Sequence, residues 1–174
     1  LRGRRLRWDQ ILISTAAEPA RRFQGKTVAA AAEEMGLDPF DAVVELLVST
    51  QLHVTAIFFE MSEENLERIL RWPFVCVGSD SAARSFSGPT ATGCPHPRAF
   101  GSCARFLGEY VLARRLMPLA EGVRRLTDLP ARRFGLAERG RLRPGAFADV
   151  VLFDSRRIRD AATYADPFRP SEGI

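Results

Sequence analysis

The residues most able to do chemistry stand where Phe74-Val75-Cys76-Val77 climbs into Gly78-Ser79-Asp80. A continuous apolar run of this kind predicts a strand covered on both faces. In barrels and open α/β sheets the reacting groups collect at the carboxyl ends of such strands. A carboxylate in that position can take a proton from an attacking water and return it to a leaving group, so Asp80 is the leading catalytic candidate. Further along, Cys94-x-His96 with Cys103 nearby resembles half a metal site. Structural zinc shows paired Cys-x₂₋₄-Cys or His-x₃₋₅-His spacings, and neither is present. His96 is therefore expected to order its loop, His53 to start a strand, Cys76 to be a small core side chain, and Glu60 to be a surface residue ahead of a helix.

The elements that would position these groups follow from periodicity. Residues 8–14, "WDQILIS", read as a short β-like run after an Arg-rich opening, and 15–26 as a polar loop that includes Lys26. The Ala-rich stretch from Thr27 predicts a helix closed by Gly36 in a left-handed cap. Asp38-Pro39 starts the next helix, with Phe40, Val43, Val44, Leu47 and Val48 as its expected buried stripe. Residues 53–61, "HVTAIFFEM", predict a strand; Ser62 then caps a helix with Leu66, Ile69 and Leu70 on its apolar face, ended by Pro73. Followed by Phe74–Val77, this is a strand–helix–strand unit of a parallel sheet. A Ser-, Gly-, Pro- and Thr-rich loop over 81–101 is long enough to be functional. Helices are expected around Phe106–Val111, Leu119–Leu126 and Pro130–Gly135. The final segment turns at Pro144-Gly145 and predicts a buried strand at Val150–Phe153.

Composition narrows the classes. The net charge is +4, but of 25 basic residues only Lys26 is lysine. The arginines are scattered in pairs among acids rather than gathered into a phosphate-binding stripe, which argues against a nucleic-acid partner. No apolar stretch approaches the ~18 residues of a membrane span. Three cysteines cannot all pair within the chain, so free thiols in a reducing, cytoplasmic setting are expected.

"MSEENLERIL", "VGSD", "HPRAFGSCARFLGEYV", "GRLRPGAFADVVLFD" and "PSEGI" together resemble the N-acyl-D-amino-acid deacylases, or D-aminoacylases, of the amidohydrolase superfamily. The Gly140–Asp154 pattern is shared across the superfamily; His-Pro-Arg followed by an aromatic, Gly and a helix narrows it to this branch. The resemblance implies an α/β fold: the C-terminal portion of a metal-dependent (β/α)₈ barrel over 1–135, and a partial return to a small β-sandwich over 136–174. It implies cleavage of the amide of an N-acyl-D-amino acid to a D-amino acid and a carboxylate, with zinc as cofactor and a small-molecule substrate as partner. Bound Zn²⁺ lowers the pKa of its water to about 7, and so provides a nucleophile. Asp80 matches the catalytic Asp at the end of the last barrel strand. Arg98 matches the arginine that grips the substrate α-carboxylate, a task suited to its planar fork of donors.

The chain departs from the family at Ser81, where Gly is usual, at Ser102-Cys103, where Thr-Phe is common, and in a longer 81–95 loop. These differences bear on the choice of acyl group and side chain. The family's metal ligands are mainly His, Cys or carbamylated Lys on earlier strands. This chain has two histidines and no such pattern, so no metal ligands are expected within it. The expectation is a fragment, inactive alone, whose partner is the remainder of its own barrel. Two other readings stand beside it: a degenerate scaffold that binds without turnover, and a dihydroorotase-like cyclic amidase, against which Arg98 in its His-Pro context argues.

Overall fold

The structure is a computed structural model that describes residues 6–174, so the first five residues of the Arg-rich opening lie outside the described residues. Among the described residues no helix is long and apolar enough to cross a membrane. The chain divides into two compact units: residues 1–60, 85–96 and 163–167, and residues 61–84, 97–162 and 168–174.

In the first unit, β1 (Ile11–Ala16) pairs antiparallel with β2 (Val54–Phe58), Ile11 facing Phe58 and Ala16 facing Val54, with an irregularity between Ile13 and Thr15. Helix α1 (Val28–Met35) begins where the Thr27 hydroxyl accepts from the Ala30 N–H at 3.2 Å and ends at Gly36 with φ +67°. Helix α2 (Pro39–Ser49) begins where Asp38 accepts from the Phe40 N–H at 2.9 Å. Both starts and the left-handed stop stand where the sequence predicts them, because caps are settled within a few residues of chain. The core gathers Ile11, Ile13, Phe23, Val28, Ala31 and Leu46. Of the stripe expected to be buried on α2, only Val43 packs against this core. Ala42 and Leu46 turn inward, whereas Phe40, Val44, Leu47 and Val48 are exposed. Helix α1 offers alanines, and the small Ala42 allows α2 its approach to that face.

In the second unit, α3 (Glu63–Leu70) is capped by Ser62, whose hydroxyl accepts from the Asn65 N–H at 3.2 Å. Helix α4 (Arg98–Arg105) runs on as wider π-helical turns over Phe106–Ala113. Helices α5 (Leu119–Leu126) and α6 (Asp128–Arg133) follow. Leu70, Ala104, Phe106, Leu107, Tyr110, Val111 and Ile158 form the core. Ion pairs tie α3 to the end of the π-helical turns: Arg114 donates to Glu67 at 2.8 Å, Glu63 at 3.0 Å and Glu109 at 2.7 Å, and the Tyr110 hydroxyl donates to Glu63 at 3.1 Å. Arg125 is buried. It donates to Glu121 at 2.7 Å and to the Leu70 carbonyl, while Arg124 grips Glu121 from the other side. The Arg124 and Arg125 guanidiniums hold the Glu121 carboxyl down to about 2.

Several strand and loop expectations need correction. Phe74–Val77 is not a strand, and β2 has an antiparallel partner before it in the chain rather than a parallel one after it. Cys76 is half-buried instead of a core side chain. Val150–Phe153 is neither a strand nor buried at Val150, Val151 and Leu152, although the turn before it forms, with Gly145 at φ +83° and the Ala146 N–H on the Arg143 carbonyl at 3.2 Å. An apolar run becomes a strand only beside another row of N–H and C=O groups, and the described residues offer these runs none. The long loop ends earlier than expected, because α4 starts at Arg98 and carries Gly101 inside it. A Cβ on Gly101 would stand 2.6 Å from the Asp160 Cβ, so close packing compensates a residue that is a poor helix former.

Candidate functional site

Asp80 and Arg98 come together. The Arg98 guanidinium lies 3.0 Å from the Asp80 carboxylate, in an ion pair whose side chains are 44% and 87% exposed. Seventeen intervening residues do not hold them apart, because the chain doubles back between the end of the apolar run and the first turn of α4. Asp80 has φ +49°. That left-handed conformation costs a non-glycine residue of order 1–3 kcal/mol, and Asp and Asn tolerate it best.

Arg98 is the first residue of α4, where the helix dipole disfavours a cation and favours an anion. The turn that carries it is anchored by groups far from it in the chain. Ser171 Oγ donates to the Phe100 carbonyl at 3.1 Å, and the Phe100 and Phe168 rings lie 5.5 Å apart. Arg105, one helix length on, donates to Asp160 at 3.2 Å. The closing Pro170–Ile174 stretch is itself clasped: Glu172 and Arg159 exchange backbone hydrogen bonds at 2.9 and 3.1 Å, and a Cβ on Gly173, with φ +81°, would lie 2.5 Å from the Ile158 nitrogen. "PSEGI" is therefore legible as a clasp that holds the first turn of α4. From the sequence alone it was only a familiar string.

The remaining candidates have contacts of their own. His96 Nε2 meets the Tyr164 hydroxyl at 3.0 Å, with the rings 5.0 Å apart, which fits a loop-ordering role. Cys94 docks onto β1 through its backbone, its N–H on the Ser14 carbonyl at 2.6 Å and its carbonyl accepting from Ser14 Oγ at 2.9 Å. His53 precedes β2 with Nδ1 3.2 Å from the Thr50 carbonyl. Glu60 is exposed, Lys26 pairs with Glu34, and Cys76, Cys94 and Cys103 are free thiols. Burial pushes the Cys103 thiol up, away from thiolate chemistry. Among the described residues no group of three or more His, Cys, Asp or Glu side chains could hold a metal ion. A cavity of about 1390 Å³ lies in the first unit among Trp8, Phe40, Val43, Leu47, Val54 and Phe58. Its walls are mostly apolar, with Arg7 and Asp9 at their edge, and neither Asp80 nor Arg98 lines it.

Residues 74–173 match the model of the amidohydrolase family. D-aminoacylase of Alcaligenes xylosoxydans xylosoxydans is 35% identical over 174 residues, which is 97% of this chain and 34% of that one. The N-acyl-D-glutamate deacylase of the same organism is 39% identical over 166 residues, 95% of this chain and 31% of that one. Among solved structures, the N-acyl-D-glutamate deacylase of Bordetella bronchiseptica, complexed with zinc and a phosphonate mimic of the tetrahedral intermediate, is similar with a TM-score of 0.84. That structure is 41% identical, over 97% of this chain and 33% of its own. The chain thus spans about a third of the length of these proteins.

Proposed function

Because the chain belongs to the amidohydrolase family, we propose that it forms part of a zinc-dependent hydrolase that cleaves the amide bond of N-acyl-D-amino acids to a D-amino acid and a carboxylate. The observation that carries this reading is the convergence of Asp80 and Arg98 in one ion pair. A deacylase needs an acid/base beside the scissile amide and a cation for the α-carboxylate two bonds beyond the amide nitrogen, and these two side chains stand within a few ångströms of each other. Similarity along nearly the whole chain to deacylases of D-amino acids supports the substrate class.

In this mechanism Asp80 accepts a proton from the attacking water and delivers it to the amide nitrogen as the C–N bond breaks. Arg98 donates two parallel hydrogen bonds to the α-carboxylate, which fixes how the chiral carbon faces the scissile bond. The described residues do not themselves form a zinc site. Zinc is proposed as the cofactor of the intact enzyme, held by residues outside this segment. In that enzyme residues 1–135 belong to the C-terminal part of the (β/α)₈ barrel and 136–174 return to the β-sandwich. Barrel strands are parallel, so the antiparallel β1–β2 pair is an elaboration carried on the barrel rather than two of its neighbouring strands. A cytoplasmic setting, where the free thiols stay reduced, completes the proposal.

The test is turnover by the intact zinc-loaded enzyme. It should release D-amino acids from N-acetyl-D-amino acids, leave the L-enantiomers, and leave cyclic amides such as dihydroorotate untouched. Asp80→Ala should retain fold and metal content while kcat falls about 10²–10⁴-fold. A kcat within tenfold of wild type would remove Asp80 from the mechanism.

A further inference from the structure

We propose that Arg98 is a shared cation. Without substrate it holds the carboxylate of Asp80, and the incoming α-carboxylate displaces Asp80 from it, so that binding the right substrate is also what releases the acid/base for work. The inference rests on the roles proposed above for both residues and adds that they are coupled.

The geometry motivates the exchange. At 3.0 Å the pair is formed, and in this segment its side chains are 87% and 44% exposed. Where such a pair keeps its access to solvent it is weakly held, since solvent screens the attraction and two side chains lose freedom. An α-carboxylate that binds Arg98 in a closed site meets the same fork with less solvent around it, where charge-assisted bonds are stronger. While the pair is closed, the guanidinium occupies one oxygen of Asp80 that a water would otherwise use. Asp80 has a left-handed backbone, φ +49°, and its carboxylate can swing off Arg98 by rotation about the side chain's own bonds.

A substrate without the α-carboxylate cannot open the pair. The enzyme then rejects it twice, once in binding and again in turnover, and this second penalty distinguishes a shared cation from a simple carboxylate clamp.

The experiment is a double-mutant cycle on the intact enzyme, stripped of metal so that nothing is turned over. Calorimetry gives the affinity for N-acetyl-D-glutamate, N-acetyl-D-aspartate and N-acetyl-D-leucine, and the tightest of them is carried forward. Asp80→Asn removes the competing charge and keeps a side chain that tolerates positive φ. It should tighten binding roughly two- to fivefold, the worth of an exposed pair, and should do so only while Arg98 is present. In an Arg98→Ala background the same change should have no effect. Equal tightening in both backgrounds would mean a diffuse charge effect, and no tightening would mean no competition; either result overturns the proposal. A kinetic arm uses the zinc-loaded enzyme and the α-carboxamide of the same ligand. Arg98→Ala should raise kcat for the carboxamide above wild type, because Asp80 is no longer held. An unchanged or lower kcat would overturn the shared-cation model. Failure of the underlying roles reads differently: near-normal kcat in Asp80→Ala, or undiminished affinity in Arg98→Ala.

Discussion

Asp80 was visible in the sequence as a carboxylate at the end of an apolar run. The run is not a strand in the structure, yet the turn after Val77 still brings Asp80 to the first residue of α4. Arg98 carried less local signal. The role proposed for it rests on the His-Pro-Arg context, since an arginine in an Arg-rich chain is otherwise unremarked. Ser171 and Asp160, which anchor α4, lie more than fifty residues from what they hold, and no periodicity predicts such contacts. At this scale the sharpest prediction is Arg98→Lys in the intact enzyme. A lysine keeps the charge but presents a point rather than a fork. Losing one of two charge-assisted bonds is worth about 1.4 kcal/mol, so KM should rise about tenfold while kcat changes less than threefold. Steady-state kinetics checks this, and an unchanged KM would refute the carboxylate role.

The helices were largely legible because their ends are decided locally: Thr27, Gly36, Asp38 and Ser62 each do what their side chains or missing side chain dictate. The strands were not, because pairing partners are tertiary facts. The exposed stripe of α2 has the same cause, since periodicity identifies an apolar face but not whether anything covers it. The "AFGSCARFLGEYV" stretch shows a third kind of information, carried by glycines. A Cβ on Gly108 would lie 2.3 Å from the Ile158 carbonyl oxygen, with the Arg159 backbone behind it at 3.5 Å. Backbone cannot rotate away as a side chain does, so the 158–160 segment must lift off the helix. Gly108→Ala should therefore destabilise the intact enzyme by about 1–3 kcal/mol despite the better helix propensity of alanine. Urea unfolding reads the change, and a stabilised variant would show that the segment yields freely. Helix α5 makes a pH-dependent prediction. The carboxyl of Glu121 sits at about 2 in the folded protein, below its ordinary 4.5, because Arg124 and Arg125 bind its ionised form. A depressed carboxyl stabilises the fold above its unfolded pKa and loses that contribution as pH falls toward 2. Glu121→Gln should cost about 2 kcal/mol at pH 7, less than a fully buried pair because Glu121 is partly exposed, and it leaves the buried Arg125 uncompensated. The gap between wild type and variant should narrow between pH 4.5 and 2 and be closed below that window; a gap independent of pH would contradict the assignment.

At the scale of the whole molecule, the apolar side chains left in water decide behaviour. Val151 and Leu152 are 72% and 86% exposed, and Val150 and Leu142 are also largely exposed, in a stretch with no strand partner among the described residues. In the first unit Val48 is 68% exposed beside Phe40 and Val44, and the only named sheet among the described residues has two strands, fewer than an independent sheet needs. A surface helix or extended run of this composition seeks cover, and another molecule of the same segment is the nearest available. The 174-residue segment expressed alone should therefore self-associate at micromolar concentration, with a broad thermal transition. Sedimentation velocity at several loadings tests this. The extended Val150–Leu152 run has the hydrophobicity and β-branching that favour edge pairing, so Val151→Lys with Leu152→Lys should shift the distribution toward monomer, because two charges on one unpaired run oppose stacking. Substituting Val48→Lys should relieve association less, since a helix face lacks the backbone hydrogen bonds that an added strand makes. A monodisperse wild-type segment with a cooperative melt would show instead that these side chains are stable in water, and that the apolar pattern of Val150–Phe153 does not stand in for a missing sheet neighbour.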